Sequence, residues 1–305
     1  NQYTAVGGVS RSHDANGNLA GDGLLKYECD SLNRLIYVAT TTDVALGSYT
    51  YDTLNRRVRR YLAATDDTYE YAYDGWQMLE YYQQAAGGQV TARQFVYGQY
   101  IDEPLTMDVD ANNGTAWGFG SSDATYYYQQ NRLYSVCALS DAAANVVEAY
   151  EYDPYGEHKL LTDGNDGGSV VDFNANDLRT PKGASALGNP FTFTGREYDP
   201  ESDLHAYRER FYRARQGRFI SRDPIGYGDG PNLYQYVHGN PAKRMDPFGL
   251  RSTWISFIND LGPRHISYTP GADNTITGLT TAKETFTLKI KPDLKETCKC
   301  QIVAN

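Results

Sequence analysis

The sequence predicts an all-β protein built on a curved or spiralling antiparallel sheet, and three observations support this prediction. The 305 residues include 27 tyrosines and 29 glycines, a composition typical of strands and turns rather than of a helical bundle. A degenerate repeat of roughly twenty residues recurs along the chain, which is the signature of a repeat architecture. Few windows show the 3.6-residue apolar period of a helix.

Each repeat combines an aromatic strand with a tight turn. Residues 26–35 and 49–58 share the spacing Tyr-x-x-Asp-x-x-Asn-Arg, and looser copies lie at 14–19, 69–75 and 150–156. Alternation such as Tyr69, Tyr71 and Tyr73 puts the rings on one face of a strand, and the Asp-Gly, Asn-Gly and Asp-Pro steps favour turns. A single hairpin cannot bury such a face, so we expect successive hairpins to stack into one sheet.

The remaining elements are predicted from local pattern. An apolar stripe predicts a helix over 252–261, and a weaker stripe predicts one over 204–215. The segment 161–187 is rich in Gly, Asp, Asn and Ser and is predicted to be a loop. Alternation over 286–290 predicts a strand. About half a dozen hairpins are visible, too few to close a shell. The chain also starts inside a patterned segment without Met, so we expect an upstream part or a partner chain to supply the rest.

The charge distribution separates an acidic body from a basic tail. The chain carries a net charge of −10, which disfavours binding to nucleic acid or to anionic membranes. Seven basic and five acidic side chains give residues 251–305 a net charge of +2, which leaves −12 on residues 1–250. No apolar run is long enough for a membrane span. Neither the four cysteines nor the five scattered histidines have metal-site spacing, so no metal and no cofactor is predicted.

Dense motifs follow the repeats in residues 189–250. They are Tyr198-Asp199-Pro200-Glu201, Tyr207-Arg208-Glu209-Arg210-Phe211-Tyr212, Gly217-Arg218-Phe219-Ile220-Ser221-Arg222-Asp223-Pro224-Ile225-Gly226, Asn232-Leu233-Tyr234-Gln235-Tyr236-Val237, Asn240-Pro241 and Asp246-Pro247-Phe248-Gly249-Leu250. With the tyrosine and aspartate repeats, these motifs closely resemble the RHS (rearrangement hotspot) or YD-repeat proteins. Residues 189–250 are similar to the RHS-associated core domain of that family.

The resemblance implies three parts. Residues 1–188 would be YD repeats that form a segment of a hollow β-shell. Residues 189–250 would be the core domain that plugs one end of the shell. Residues 251–305 would be a variable C-terminal passenger. In polymorphic toxins and insecticidal toxin complexes of this family, such a passenger is often toxic and lies inside the shell.

The resemblance also implies chemistry in the core domain. Family members that cut themselves are similar to aspartyl proteases acting in cis, and their two aspartates and arginine match Asp223, Asp246 and Arg210. The predicted cleavage site is the bond between Leu250 and Arg251. Two carboxylates held close together cannot both ionise at neutral pH, so one can act as an acid while the other takes a proton from water. The tethered substrate would supply much of the barrier reduction.

The sequence supports two hypotheses for the function. The first is a secreted or cell-surface bacterial protein that encloses its passenger and releases it by self-cleavage. Its partners would be an upstream shell part or a partner shell protein, together with the chain's own passenger. The second is a non-catalytic adhesion or surface-filament scaffold, whose partners would be a cell-surface receptor or further copies of itself. An Asp beside an Arg is more often part of a structural ion pair than a catalytic group, and this favours the second hypothesis.

Overall fold

The computed structural model describes residues 2–110, 123–163, 171 and 177–254, together with the backbone of three strands at 266–267, 275–279 and 285–289. The chain divides into two compact units, Asn1–Thr253 and Trp254–Asn305. The first unit contains the repeats and the whole of the motif-rich segment 189–250.

Most of the first unit is one open antiparallel sheet. Fifteen strands pair in chain order, and within the described residues the two end strands do not pair with each other. These strands are β3 Ser12–His13, β4 Leu19–Gly21, β5 Leu25–Cys29, β6 Leu35–Thr40, β7 Ala45–Tyr51, β8 Arg57–Leu62, β9 Asp67–Asp74, β10 Gln77–Gln84, β11 Val90–Tyr97, β12 Pro104–Asp110, β13 Ala124–Gln130, β14 Val136–Ser140, β15 Val146–Tyr152, β16 His158–Thr162 and β17 Leu178–Pro181. A separate hairpin precedes them, formed by β1 Ala5–Val6 and β2 Val9–Ser10.

The motif-rich segment folds into short strands and 3₁₀ turns. Its strands are β18 Glu197–Asp199, β19 Leu204–Tyr207, β20 Arg210–Arg213, β21 Arg218–Phe219 and β22 Arg244–Met245. Its 3₁₀ helices are Phe193–Gly195, Ala214–Gln216, Gly226–Asp229 and Val237–Gly239. Strands β18 to β21 form a four-stranded antiparallel sheet. The remaining strands are β23 Thr253–Trp254, β24 Ile266–Ser267, β25 Thr275–Leu279 and β26 Thr285–Lys289, the last three forming one antiparallel sheet.

The repeat motif explains the hairpin turns. Asp52 Oδ1 accepts hydrogen bonds from the backbone N–H groups of Leu54 at 2.8 Å and Arg56 at 2.9 Å, and Asn55 adopts a left-handed φ of 64°. The Arg56 side chain then pairs with Asp52 Oδ2 at 2.7 Å. Asp and Asn are the residues that make such turns at low cost. The same pattern recurs at Asp30, so the repeated residues close the turns.

The tyrosines join each hairpin to the one before it. The hydroxyl of Tyr51 donates to the Leu35 carbonyl, that of Tyr73 to the Arg57 carbonyl, and that of Tyr152 to the Val136 carbonyl. Each bond reaches back 16 residues, so a ring on one hairpin satisfies a backbone group of its predecessor. In the copies that have one, the tyrosine directly before the turn aspartate therefore connects its hairpin to the sheet.

The motif-rich segment packs against the repeat sheet. Leu204, Phe211 and Ile220 share a buried cluster with residues of the first repeats, and Phe191 packs on Phe95 with ring centroids 5.0 Å apart. Buried ion pairs cross the same contact. Arg57 of β8 lies against Asp199 and Glu197, each at 2.5 Å. This packing fixes the position of the segment that carries the candidate site.

Some local predictions differ from the structure. The predicted helix over 204–215 is wrong: two strands join there at Arg208, whose φ of 58° no α-helix accepts. The predicted loop over 161–187 contains the end of β16 and all of β17. The predicted strand over 286–290 is confirmed, displaced by one residue, as β26. For the predicted helix 252–261, Thr253–Trp254 is a strand and 255–261 lie outside the described residues.

Candidate active site

The three predicted catalytic residues lie on separate elements that the fold brings together. Arg210 is the first residue of β20, Asp223 follows β21, and Asp246 follows β22. All three side chains are almost fully buried, with exposed fractions of 1% for Arg210, 6% for Asp223 and 2% for Asp246. Local sequence places none of them next to another, so the juxtaposition depends on the fold of the whole segment.

One guanidinium nitrogen bridges the two carboxylates. Arg210 Nη2 lies 2.9 Å from Asp223 Oδ2 and 3.4 Å from Asp246 Oδ2. The guanidinium carbon lies 3.6 Å from the centre of the Phe219 ring, which supports the cation from one side. The contacts described here therefore join each carboxylate to Arg210, rather than the two carboxylates to each other.

The predicted cleavage site lies directly against Asp246. Its Oδ1 accepts hydrogen bonds from the backbone N–H of Leu250 at 2.9 Å and from that of Arg251 at 3.1 Å. On the upstream side, Arg210 Nε donates to the Gly249 carbonyl. The nitrogen of the Leu250–Arg251 peptide bond is thus in direct contact with a buried carboxylate.

Gly249 allows the chain to enter the site. Its φ is 69°, and a Cβ added there would lie 2.6 Å from the Tyr207 carbonyl oxygen and 3.3 Å from the Arg210 nitrogen. Only glycine combines the left-handed conformation with so close an approach. The sequence analysis named this residue only as part of a motif, because its role depends on the neighbouring strand.

Burial changes the acidity of the site. Loss of solvent raises the pKa of Asp246 above its ordinary value, although Arg210 and the two backbone N–H groups lower it in part. Burial also raises the pKa of Asp223, again opposed by Arg210. The pKa of Arg210 itself is lowered by burial, against the pull of the carboxylates. The site therefore favours a protonated carboxyl group at higher pH than an exposed aspartate would.

Sequence reasoning missed two further groups around the site. Arg208 pairs at 2.7 Å with Asp102, in the turn between β11 and β12, and donates to the Pro247 carbonyl, which anchors the segment before the cleavage site. Asp229 Oδ2 accepts the backbone N–H of Ser252 at 3.1 Å. The sequence analysis named Arg208 only as part of a motif and did not name Asp229, since each acts on a partner at least 20 residues away.

The described part of the chain has neither a metal-binding cluster nor a membrane-spanning helix. Within it, no group of three or more His, Cys, Asp or Glu side chains is arranged to hold a metal ion. None of its helices is long and apolar enough to cross a membrane. Cys298 and Cys300 lie outside the described residues.

No family model matches the chain. The solved TcdB2-TccC3 complex superimposes on 78% of this chain and 11% of its own, with a TM-score of 0.59 and 20% sequence identity. The chain has an RHS-type fold. The predicted resemblance and the predicted all-β fold with one large antiparallel sheet are therefore confirmed, and within the described residues that sheet is open.

Curated relatives that match parts of this chain include a nuclease and a toxin. The tRNA3(Ser)-specific nuclease WapA of Bacillus spizizenii is 27% identical over 267 residues, which cover 86% of this chain and 10% of the relative. The toxin protein Tse5 of Pseudomonas aeruginosa is 44% identical over 61 residues, covering 20% of this chain and 5% of the relative. The chain thus spans about a tenth or less of the length of these relatives.

Proposed function

We propose that this chain is part of a toxin-related RHS-type protein that cuts its own backbone between Leu250 and Arg251. One observation carries the proposal: Asp246 binds the nitrogen of that peptide bond while Arg210 connects Asp246 to a second buried carboxylate, Asp223. A carboxylate at the leaving nitrogen and another nearby are the groups that peptide hydrolysis by two aspartates requires.

The chemistry assigns a separate task to each carboxyl group. A water oxygen attacks the Leu250 carbonyl carbon while the Asp223 carboxylate takes one of the water protons. In its protonated form, which burial favours by raising its pKa, Asp246 would give its proton to the Arg251 nitrogen as the carbon–nitrogen bond breaks. One water is consumed, and the products are a new carboxyl group at Leu250 and a new amine at Arg251.

The released product would be residues 251–305. Their net charge of +2, against −12 on residues 1–250, favours retention near the acidic body after cleavage.

The open sheet supports a further part of the proposal. Its edge strands β3 and β17 would pair with strands of a larger shell, supplied by an upstream part or a partner shell protein, and that shell would enclose the passenger. The toxin relatives support a secreted or cell-surface bacterial location.

Intact-mass analysis of the denatured protein tests the proposal. We expect the parent to give two species, residues 1–250 and 251–305. We expect Asp246→Asn and Asp223→Asn to remain as one chain, because an amide can neither deliver nor take the proton. Asp43→Asn is the matched control, since its side chain is 76% exposed and far along the chain from the site.

Two results would contradict the proposal. A single uncut species from the parent would remove its basis, and an Asp246→Asn chain that cuts at the parental rate would remove Asp246 from the chemistry. Thermal melting of each variant beside the parent separates loss of cleavage from loss of the fold.

One observation favours the scaffold alternative. Arg210 lies between the two carboxylates, which is the arrangement expected of a structural ion pair that anchors the segment around Asp246. In that case the core only plugs the repeats, and the protein serves adhesion or filament formation through a receptor or further copies of itself. An uncut parent together with strong destabilisation by Arg210→Leu would support this second function.

A further inference from the structure

A third carboxylate holds the chain just beyond the predicted cleavage site. Asp229 ends the 3₁₀ helix Gly226–Asp229, and its Oδ2 accepts the Ser252 backbone N–H at 3.1 Å. Its other oxygen, Oδ1, lies 3.2 Å from His238 Nε2. Asp229 is thus fixed from one side by His238 and contacts the second residue after the scissile bond.

Three consecutive N–H groups are therefore divided between two carboxylates. Those of Leu250 and Arg251 bind Asp246, and that of Ser252 binds Asp229. The Ser252 hydroxyl also accepts a hydrogen bond from Arg244 at 2.9 Å. The downstream side of the bond is therefore held independently of Asp246.

The charge of Asp229 also reaches the reacting groups. Burial is the main cause of the raised pKa of Asp223 and of Asp246, and the negative charge of Asp229 raises both further. The groups that face this charge are Arg210, the two aspartates and His238. A neutral residue in the same place would have no such effect on the acidity of the site.

We propose that Asp229 is a positioning residue for self-cleavage, which holds the Ser252 amide and so fixes the Leu250–Arg251 bond against Asp246. This inference rests on the proposed function of the site. A bond whose two sides are both held stays in a reactive arrangement, and small displacements of such a bond cost large factors in rate.

The first test measures the rate of self-cleavage against pH in the full chain. Asp229→Asn removes the charge and replaces the carboxylate that accepts the Ser252 N–H with a neutral amide oxygen, which holds that N–H more weakly. We expect the rate to fall about tenfold. We also expect the alkaline limb of its pH profile to move to lower pH, because Asp246 then loses its proton more easily. Asp229→Glu restores the charge and should restore the parental profile, while Asp43→Asn should leave both unchanged.

The second test does not depend on self-cleavage. Trypsin cuts after arginine, so the exposed Arg251 makes the Arg251–Ser252 bond a direct probe of how firmly this segment is held. In an Asp246→Asn chain, we expect the added Asp229→Asn change to accelerate trypsin cleavage at this bond. The product of 251 residues differs in mass from the self-cleavage product of 250 residues.

The outcomes distinguish the inference from the function beneath it. An uncut parent would overturn the proposed function and the positioning role with it. A parent that cuts, beside an Asp229→Asn variant with the same rate, pH profile and trypsin sensitivity, would overturn the positioning role alone. A slower variant with an unshifted profile, which Asp229→Glu fails to rescue, would show a merely structural residue.

Discussion

Single residues explain why the repeat motif has the spacing it has. Asp closes the turn by accepting two backbone N–H groups, Asn takes the left-handed position, and Arg covers the carboxylate; Asp52, Asn55 and Arg56 show all three. The Tyr just before the Asp then bonds to the preceding hairpin. The sequence predicted the turn from Asp and Asn, but not the tyrosine bonds, because the accepting carbonyls belong to another hairpin.

The turn contacts lead to a stability prediction. Asp52→Ala removes two side-chain to backbone hydrogen bonds and the partner of Arg56, so we expect the free energy of unfolding to fall by about 1–2 kcal/mol. Asp74 is the matched control. It occupies the same repeat position, but among the described contacts no backbone N–H of its turn donates to its carboxylate.

Urea denaturation of the two alanine variants beside the parent measures this difference. We expect Asp74→Ala to change stability by less than about 0.5 kcal/mol. Equal losses for both variants would show that the carboxylate of Asp52 does not stabilise its turn.

The candidate site shows the same limit of sequence reasoning. The resemblance located Arg210, Asp223 and Asp246 by motif, and the fold brings all three into contact. Asp229 was not predicted, since nothing in its neighbours indicates that it binds Ser252. Residues that act on distant backbone groups leave no local pattern.

At the level of elements, the hairpins were predictable and the motif-rich segment was not. The apolar spacing of Leu204, Tyr207 and Phe211 fits a helical stripe, yet these residues lie on β19 and β20. The tight turn at Arg208 was not recognised, and pairing with neighbouring strands outweighed the apolar period. Strands this short contain too few residues to distinguish the two-residue apolar period of a strand from the 3.6-residue period of a helix.

Buried ion pairs join the repeat sheet to this segment. Arg57 of β8 is 5% exposed and pairs with Asp199, which is fully buried, and with Glu197. Arg59, two residues along the same strand, pairs with Glu70 in a contact whose side chains are each 56% exposed. The two arginines differ mainly in how much of their side chain is exposed to solvent.

This contrast leads to a second stability prediction. Arg57→Leu leaves buried carboxylates without one of their cations, so we expect a loss of about 3–5 kcal/mol in the free energy of unfolding. Arg59→Leu, the matched control, removes an exposed pair and should cost less than about 1 kcal/mol. Urea denaturation compares the two, and similar small losses would show that the ion pairs do not hold the segment in place.

For the whole molecule, sequence and structure agree on architecture. Within the described residues, the repeats form one open sheet of 15 strands, and the motif-rich segment packs against it. The sequence predicted about half a dozen hairpins, which is close to the number that fifteen strands paired in chain order form. The structure superimposes on part of a toxin complex with a TM-score of 0.59.

In our proposal, the architecture explains why the cleavage site lies at this position in the chain. A shell that holds its own C-terminal segment needs one cut, made once, at the boundary between body and passenger. The buried carboxylates lie at that boundary, against the Leu250–Arg251 bond. Cleavage at any other position would leave this placement without explanation.

Incubation of the newly made chain in ¹⁸O-labelled water, followed by mass analysis of the denatured products, tests the proposal most directly. Hydrolysis at the site predicts a fragment that ends at Leu250 and carries one labelled oxygen in its new carboxyl group, together with a fragment that begins with a free amine at Arg251. An intact chain, or a cut at a different bond, would contradict self-cleavage by Asp223 and Asp246.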